Sequence, residues 1–281
     1  AFLLVCFIFN IKYGEIKMKK TFWGGRRYCS LDYMLKERYS EKLYKLSLNG
    51  GMTCPNRDGK ISEGGCIFCS AGGSGDFAAN FNPDIAKQIE QAKTLVSKKY
   101  QGNRFIEYFQ AYTNTYAPVE YLRKLFMDTI MRDDIAILSI ATRPDCLGDD
   151  VIELLAELNR IKPVWVELGL QTINESTARL INRGYELSCY DEAVRKLKNI
   201  GVEIITHMII GLPYETKEDI LSTAEYIGKT ANGIKLQLMH ILKNTKLLEM
   251  YEKGEFKALT EEEYIEIVCE IISILPREMV I

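Results

Sequence analysis

Apolar and polar positions alternate with two different periods along this chain, and each change of period marks an element. KLYKLSL (42–48) repeats every two residues and predicts a strand. The same reasoning, or a short apolar run bounded by turn residues, predicts strands over 105–111, 135–141, 164–170, 202–210 and 234–240. Helical spacing fills the gaps. A short helix over 30–38 has Ser30 as its cap. Asn82-Pro83 opens a helix to about 100, with Pro in the first turn, and Pro118 opens another to about 131. Helices are predicted over 149–161, with Val151, Ile152, Leu154, Leu155 and Leu158 on one side, and over 175–181, 190–200, 217–230 and 261–275.

Six strands alternating with helices demand a parallel sheet with right-handed crossovers. Runs such as IAILSIA are apolar on both faces, as helix-covered parallel strands should be. The sheet closes either as an open doubly wound layer or as a curled part-barrel. A dinucleotide fold wants GxGxxG after its first strand, where this chain carries cysteines. Cys54, Thr113, Arg143, Gln171 and Leu212 all follow strand ends, which is where barrels place their chemistry. The expectation is an α/β partial (βα)6 barrel over 19–245, preceded by a non-native or flexible extension (1–18). A helical extension (246–281) follows and, by its apolar ending PREMVI, stops short.

Composition narrows the setting. The net charge of −2 gives no global attraction to nucleic acid. The most basic window, 12–27, holds Lys12, Lys17, Lys19, Lys20, Arg26 and Arg27 against Glu15, and reads as a solvated tail or a phosphate-contacting arm. The apolar start AFLLVCFIFNI is too short to span a bilayer, and its charges follow it, unlike a signal peptide's, so a cytoplasmic protein is expected. Eight cysteines in a chain of this length point to intracellular thiols or metal ligands rather than to a disulfide framework.

Three of those thiols, Cys54, Cys66 and Cys69, lie in the loop 46–76 with eight of the twenty glycines. They suit inert burial, a structural zinc, or a [4Fe–4S] cluster. Zinc wants four ligands, and this chain has no second CxxC. Three thiolates on a four-iron cluster leave one iron open to chelate a small molecule. Glycines let backbone N–H groups approach the cluster sulfurs. Cys29, Cys146, Cys189 and Cys269 are not expected to be ligands.

A three-cysteine loop after the first strand, with Phe68 just before the last cysteine, resembles the radical S-adenosylmethionine (radical SAM) superfamily. Its usual spacing is CxxxCxxC. The eleven-residue first gap resembles the branch containing the catalytic subunit of the elongator complex, and CPNRDGKISEGGCIFC is similar to one small bacterial subfamily of it. The resemblance spans about 40–245. It implies that Cys54, Cys66 and Cys69 ligate the cluster and that S-adenosylmethionine binds the open iron and yields a 5′-deoxyadenosyl radical. It also implies that Phe68 packs beside the adenine and that Gln110, Thr113 and Asn114 lie at the methionine amino group. Gln171, in VELGLQT, reaches the ribose; Arg183, in LINRGY, meets the carboxylate; the backbone of Ile210 to Leu212 runs along the adenine. His207 and Ala141 stand where some relatives carry acids. Arg143 is a site residue or the partner of Asp145. Tyr112 and Tyr116 face substrate or simply pack.

The resemblance further implies a tRNA-modifying enzyme that takes the carboxymethylaminomethyl side chain of the wobble uridine to aminomethyl. A flavodoxin or ferredoxin would supply electrons, a methyltransferase would finish the product, and no membrane would be involved. A radical enzyme on a small molecule or peptide, and a non-catalytic metal-binding module that contacts RNA, are the alternatives. No catalytic side chain is assigned.

Overall fold

The structure, a computed structural model, describes residues 23–100 and 102–281. The expected N-terminal extension, and all of the basic window before residue 23, lie outside the described residues. Six strands form one parallel sheet in chain order: β1 (Tyr44–Leu48), β2 (Phe105–Phe109), β3 (Ile135–Thr142), β4 (Val164–Gln171), β5 (Glu203–Ile210) and β6 (Gly233–Leu238). Helices α1 (Leu31–Tyr39), α2 (Ile85–Val96), α3 (Val119–Ile130), α4 (Asp149–Ile161), α5 (Glu175–Leu180), α6 (Leu187–Asn199), α7 (Lys217–Thr230), α8 (Lys246–Glu252) and α9 (Glu261–Ile274) accompany it.

Two boundaries move for physical reasons. Pro83 does not enter α2: Asp84 caps the helix, its carboxylate accepting from the N–H groups of Ala86 and Lys87. Helix α6 starts three residues earlier than predicted, after Glu186. Ser30 caps α1 as expected, accepting from Tyr33 N–H.

The alternation inside each strand separates two environments. Leu46, Leu48, Phe105, Phe109, Leu138, Ile140, Val166, Leu168, Ile204, Met208 and Ile210 face the helices and form the main core. Burying each such side chain contributes about 1.5–3 kcal/mol. The other face carries Lys45, Ser47, Tyr108, Ser139, Glu167, Gly169, His207, Lys235 and Gln237. That face must be concave. Lys45 of β1 and Lys235 of β6 both reach Glu167 of β4. In a flat sheet β1 and β4 would lie about 14 Å apart, three strand spacings. The sheet is therefore curled into a half-barrel, with β1 and β6 as its open edges.

At the end where the strands begin, Leu35, Leu43, Ile106, Ile137 and Trp165 form an apolar plug. At the opposite end lie the loops that carry the cysteines. Helix α9 packs on α7 through Ile267 and Ile271, with Lys217 paired to Glu266 and Glu270.

Candidate functional site

The loop leaving β1 is folded by its own turn residues. Cys54 C=O accepts from Arg57 and Asp58 N–H, so the first cysteine opens a turn. Asn56, in that turn, is fully buried and donates through Nδ2 to the carbonyls of Asn182 (2.6 Å) and Arg183 (3.2 Å), with Cys66 Sγ at 3.5 Å. Cys69 N–H donates to Cys66 C=O, closing a turn over Ile67-Phe68. Ile67 N–H donates to Ile181 C=O, and Ile67 C=O accepts from Leu247 N–H at the start of α8. The CxxC segment is thus held between the connection after α5 and a helix 180 residues downstream of it in the chain, which the sequence reading did not predict.

Cys66 Sγ donates to Asn182 C=O at 3.4 Å, and Cys69 lies close enough for the two thiols to influence each other. The neighbouring Cys66 brings the Cys69 thiol down to about 7; burial opposes the shift, and Arg57 and Ser74 assist it. Arg143 acts electrostatically on Cys66 and Arg57 on Cys69, so a guanidinium stands near each thiol of the CxxC. Gly65 has φ +84°, and a Cβ there would stand 2.9 Å from Arg57 Nε, so only glycine leaves the guanidinium its place. Among the described residues no three His, Cys, Asp or Glu side chains close around a point suited to a single metal ion. Soft thiolates, guanidinium groups beside them and a glycine-lined approach fit a [4Fe–4S] cluster.

Cys146 is the additional thiol near this loop. It lines a cavity of about 500 Å³ with Pro55, Lys60, Tyr116 and Asp145, on the outer side of the turn. Burial and the charges of Asp145 and Cys54 push its thiol up to about 12, with Arg143 opposing.

The other expected residues fall into two groups. Phe68 packs on the small cluster that contains Ile209, Leu212 and Ile181, so the aromatic of the CxxC meets the exit of β5. The Ile210 side chain faces the helices, which leaves only its backbone to the site. Thr113 N–H donates to Thr53 C=O beside Cys54, and Gln110 Nε2 donates to Ser74 C=O. Asn114 Nδ2 bridges the carbonyls of Phe109 and Ala141, and its Oδ1 is buried without a partner. Tyr112 is wrapped by the loop, its hydroxyl donating to Ala71 C=O. Gln171 takes φ +65° at a bulge between β4 and β5, which turns its side chain towards Tyr185.

Arg183 is buried beside the exit of β4. Its side chain is 1% exposed, and it donates to the carbonyls of Leu170, Thr172 and Tyr185 and to Glu175. Those bonds place it in the frame of the β4 exit. Arg143 does bind Asp145, through two hydrogen bonds of 2.9 and 2.7 Å. The Tyr185 ring lies between the two arginines, 4.9 Å from the Arg143 guanidinium and 4.8 Å from that of Arg183. Sequence reasoning missed Asn56, Asn182 and Tyr185; the last two stand in the same LINRGY segment that drew attention to Arg183.

It also missed the middle of the lumen. Glu167 is fully buried and accepts from Lys45, from Ser139 Oγ (2.8 Å) and from His207 (2.8 Å); Lys235 Nζ stands 3.8 Å away. Both ammonium groups also flank the Tyr108 ring, at 4.6 and 5.4 Å. Burial opposes ionisation of Glu167, but Lys45 and His207 outweigh it and hold the carboxyl well below the usual range. Burial and Lys235 hold His207 below its ordinary value despite Glu167, so at neutral pH the imidazole is uncharged and donates through Nε2–H.

Comparison with known proteins places these features. A family model described as "Radical SAM superfamily" matches residues 54–227, and one described as "Radical_SAM C-terminal domain" matches 231–281. The uncharacterized protein YtqA of Bacillus subtilis (strain 168) is 46% identical over 257 residues, covering 91% of this chain and 80% of that protein. The tRNA uridine(34) acetyltransferase of Methanocaldococcus infernus is 29% identical over 147 residues, 50% of this chain and 26% of that protein. The solved archaeal Methanocaldococcus infernus Elp3 superposes with a TM-score of 0.60 at 19% identity; this chain is covered to 85% and spans about half, 55%, of that one.

Proposed function

The chain belongs to the radical SAM superfamily, and from that premise we propose that it acts on the wobble uridine of tRNA, taking the carboxymethylaminomethyl side chain to aminomethyl. It is a radical SAM enzyme, of a family that binds a [4Fe–4S] cluster and S-adenosylmethionine. When bound, those two groups supply a carbon radical able to abstract hydrogen.

In this reading Cys54, Cys66 and Cys69 hold the cluster, Asn56 fixes the Cys66 turn, and Arg57 and Arg143 offset the charge of the thiolates. Phe68, Gln110, Thr113, Asn114, Gln171, Ile210 and Leu212 surround S-adenosylmethionine. Arg183 is a positioning residue that holds the β4 exit and the Tyr185 ring. A flavodoxin or ferredoxin supplies the electron, a methyltransferase takes the aminomethyl product, and the setting is cytoplasmic. Among the described residues no helix is long and apolar enough to cross a membrane.

The observation that carries the choice of substrate is the shared half-chain with a relative named for tRNA uridine 34. The rim supports it: Phe77, Phe81 and Tyr214 are exposed on loops at the cysteine end of the barrel. Exposed aromatics of this kind stack on unpaired bases, as an anticodon loop presents them. The test is mass spectrometry of tRNA nucleosides from a strain lacking the protein. Accumulated carboxymethylaminomethyl uridine is the expected result, and an unchanged wobble uridine would remove the reading. A small-molecule or peptide substrate is favoured by the acidic balance of the chain, net −2. The same measurement separates the two.

A further inference from the structure

We propose that the polar floor of the lumen is a binding site for a carboxylate carried by the substrate, with Lys235 as its principal cation. This deepens the wobble-uridine reading, whose side chain ends in a carboxylate, and rests on it only for the identity of the carrier.

Charge and contacts point the same way. Lys45 is in contact with Glu167, as are Ser139 and His207. Lys235 is not: its ammonium stands 3.8 Å from Glu167 and makes no hydrogen bond among the described residues. Two amines face one carboxylate and the imidazole is neutral, so with both amines protonated the floor carries one surplus positive charge, which burial opposes and Glu167 favours at Lys235. The Lys235 side chain is 37% exposed although its neighbours Glu167 and Tyr108 are buried. Its spare donors therefore face the lumen.

Two residues further along β1, β3 and β4, towards the cysteine loop, the concave face carries Ser47, Ala141 and Gly169, with Ile209 and Gln237 in the same layer on β5 and β6. Gln171 Nε2 and Tyr185 Oη stand over Gly169, 2.9 and 3.6 Å from where a Cβ would lie, so a group entering from the loop end passes beside them. Burial alternates along β5 so that the concave positions Glu203, Ile205 and His207 are the partly accessible ones. A group with a terminal anion that enters from the loop end meets Lys235 after passing the small residues. A single carboxylate balances the surplus; a phosphate monoester, at about −1.5 to −2, does not, and a phosphate diester spreads its one charge over two oxygens held further from the ammonium by its ester groups.

The test uses the full chain, cluster-loaded under anaerobic conditions, with N-methylglycine as probe in saturation-transfer NMR. N-methylglycinamide tests the need for a carboxylate and dimethyl phosphate tests another monoanion. Wild type and Lys235→Arg should give a signal with N-methylglycine that is at least tenfold weaker in Lys235→Met, and neither control probe should bind. An equal signal in Lys235→Met, no signal in wild type, or equal binding of the amide or the phosphate diester would overturn the assignment. Circular dichroism checks each variant, and Lys235→Gln replaces Lys235→Met if the latter does not fold. With tRNA as substrate, Lys235→Met should lose at least tenfold in kcat/KM, mostly in KM, and Lys235→Arg should recover it. A wild-type protein that binds N-methylglycine but leaves wobble uridine unchanged would overturn the tRNA reading and leave the carboxylate site standing.

Discussion

Asn56 and Asn182 grip each other's loops: Asn56 Nδ2 donates to Asn182 C=O at 2.6 Å, and Asn182 Nδ2 donates to Gly65 C=O at 2.9 Å. The exchange joins the turn after Cys54 to the residue before Cys66. Asn56→Ala removes the buried donor, leaving the Arg183 carbonyl unsatisfied and the Asn182 carbonyl with only the Cys66 thiol, a cost of about 1–3 kcal/mol. The expected outcome is a lower melting temperature together with loss of iron per chain. Wild-type iron content in a folded Asn56→Ala protein would show that the turn needs no such tie.

The ligand count can be read from iron alone. Cys54→Ala, Cys66→Ala and Cys69→Ala should each lose the cluster after anaerobic reconstitution. Cys146→Ser should keep it, because the thiol opens into the outer cavity with Lys60 and Tyr116. Loss of iron in Cys146→Ser would make it a fourth ligand and would close the open position.

Glu215 makes stability depend on pH. Burial raises its carboxyl from the ordinary 4.5 to about 7, against the hydrogen bond donated by Thr172. The folded chain then holds a proton that the unfolded chain has already released. The stabilisation is complete below the unfolded value and is lost as pH rises through 7. Its size, discounted for partial exposure, is about 1–2 kcal/mol. Glu215→Gln mimics the neutral acid, so its melting temperature should gain on wild type between pH 5 and 8. Parallel curves would rule out the titration.

Glu107 sits on the helix-facing side of β2 with both carboxyl oxygens buried and unpartnered. Burial and Asp134 push its carboxyl well above the usual range, with Arg132 and Lys93 opposing. Glu107→Met removes the unsatisfied oxygens from an apolar surrounding. A gain of about 1–3 kcal/mol is expected, measured by urea unfolding at pH 8. A loss would indicate that a bonded partner holds the carboxylate in solution.

The six strands were legible because their two faces differ: every second residue of 203–208 meets the helices, and the others meet the lumen. The loop with Cys54, Cys66 and Cys69 was legible from thiol and glycine density. Helix α8 was not, since seven residues carry too little periodicity, and its Leu247 finds its place only on Ile67. Nor was the lumen floor. Lys45 and Glu167 are 122 residues apart in sequence and read singly as ordinary polar positions of half-buried strands. Arg183 shows the reverse limit: its spacing after β4 was informative, but the carbonyls that absorb its donors are visible only in three dimensions.

A sheet with two open edges is a template on which a second chain can add a strand. Lys45 lies on one edge strand and Lys235 on the other, each pointing its charge into the concave side. A strand docking on either edge would have to desolvate an ammonium group beside it, and Val280 already occupies part of the β6 edge through its bridge to Gly233. The half-barrel can therefore stay open along its length without growing into a larger sheet.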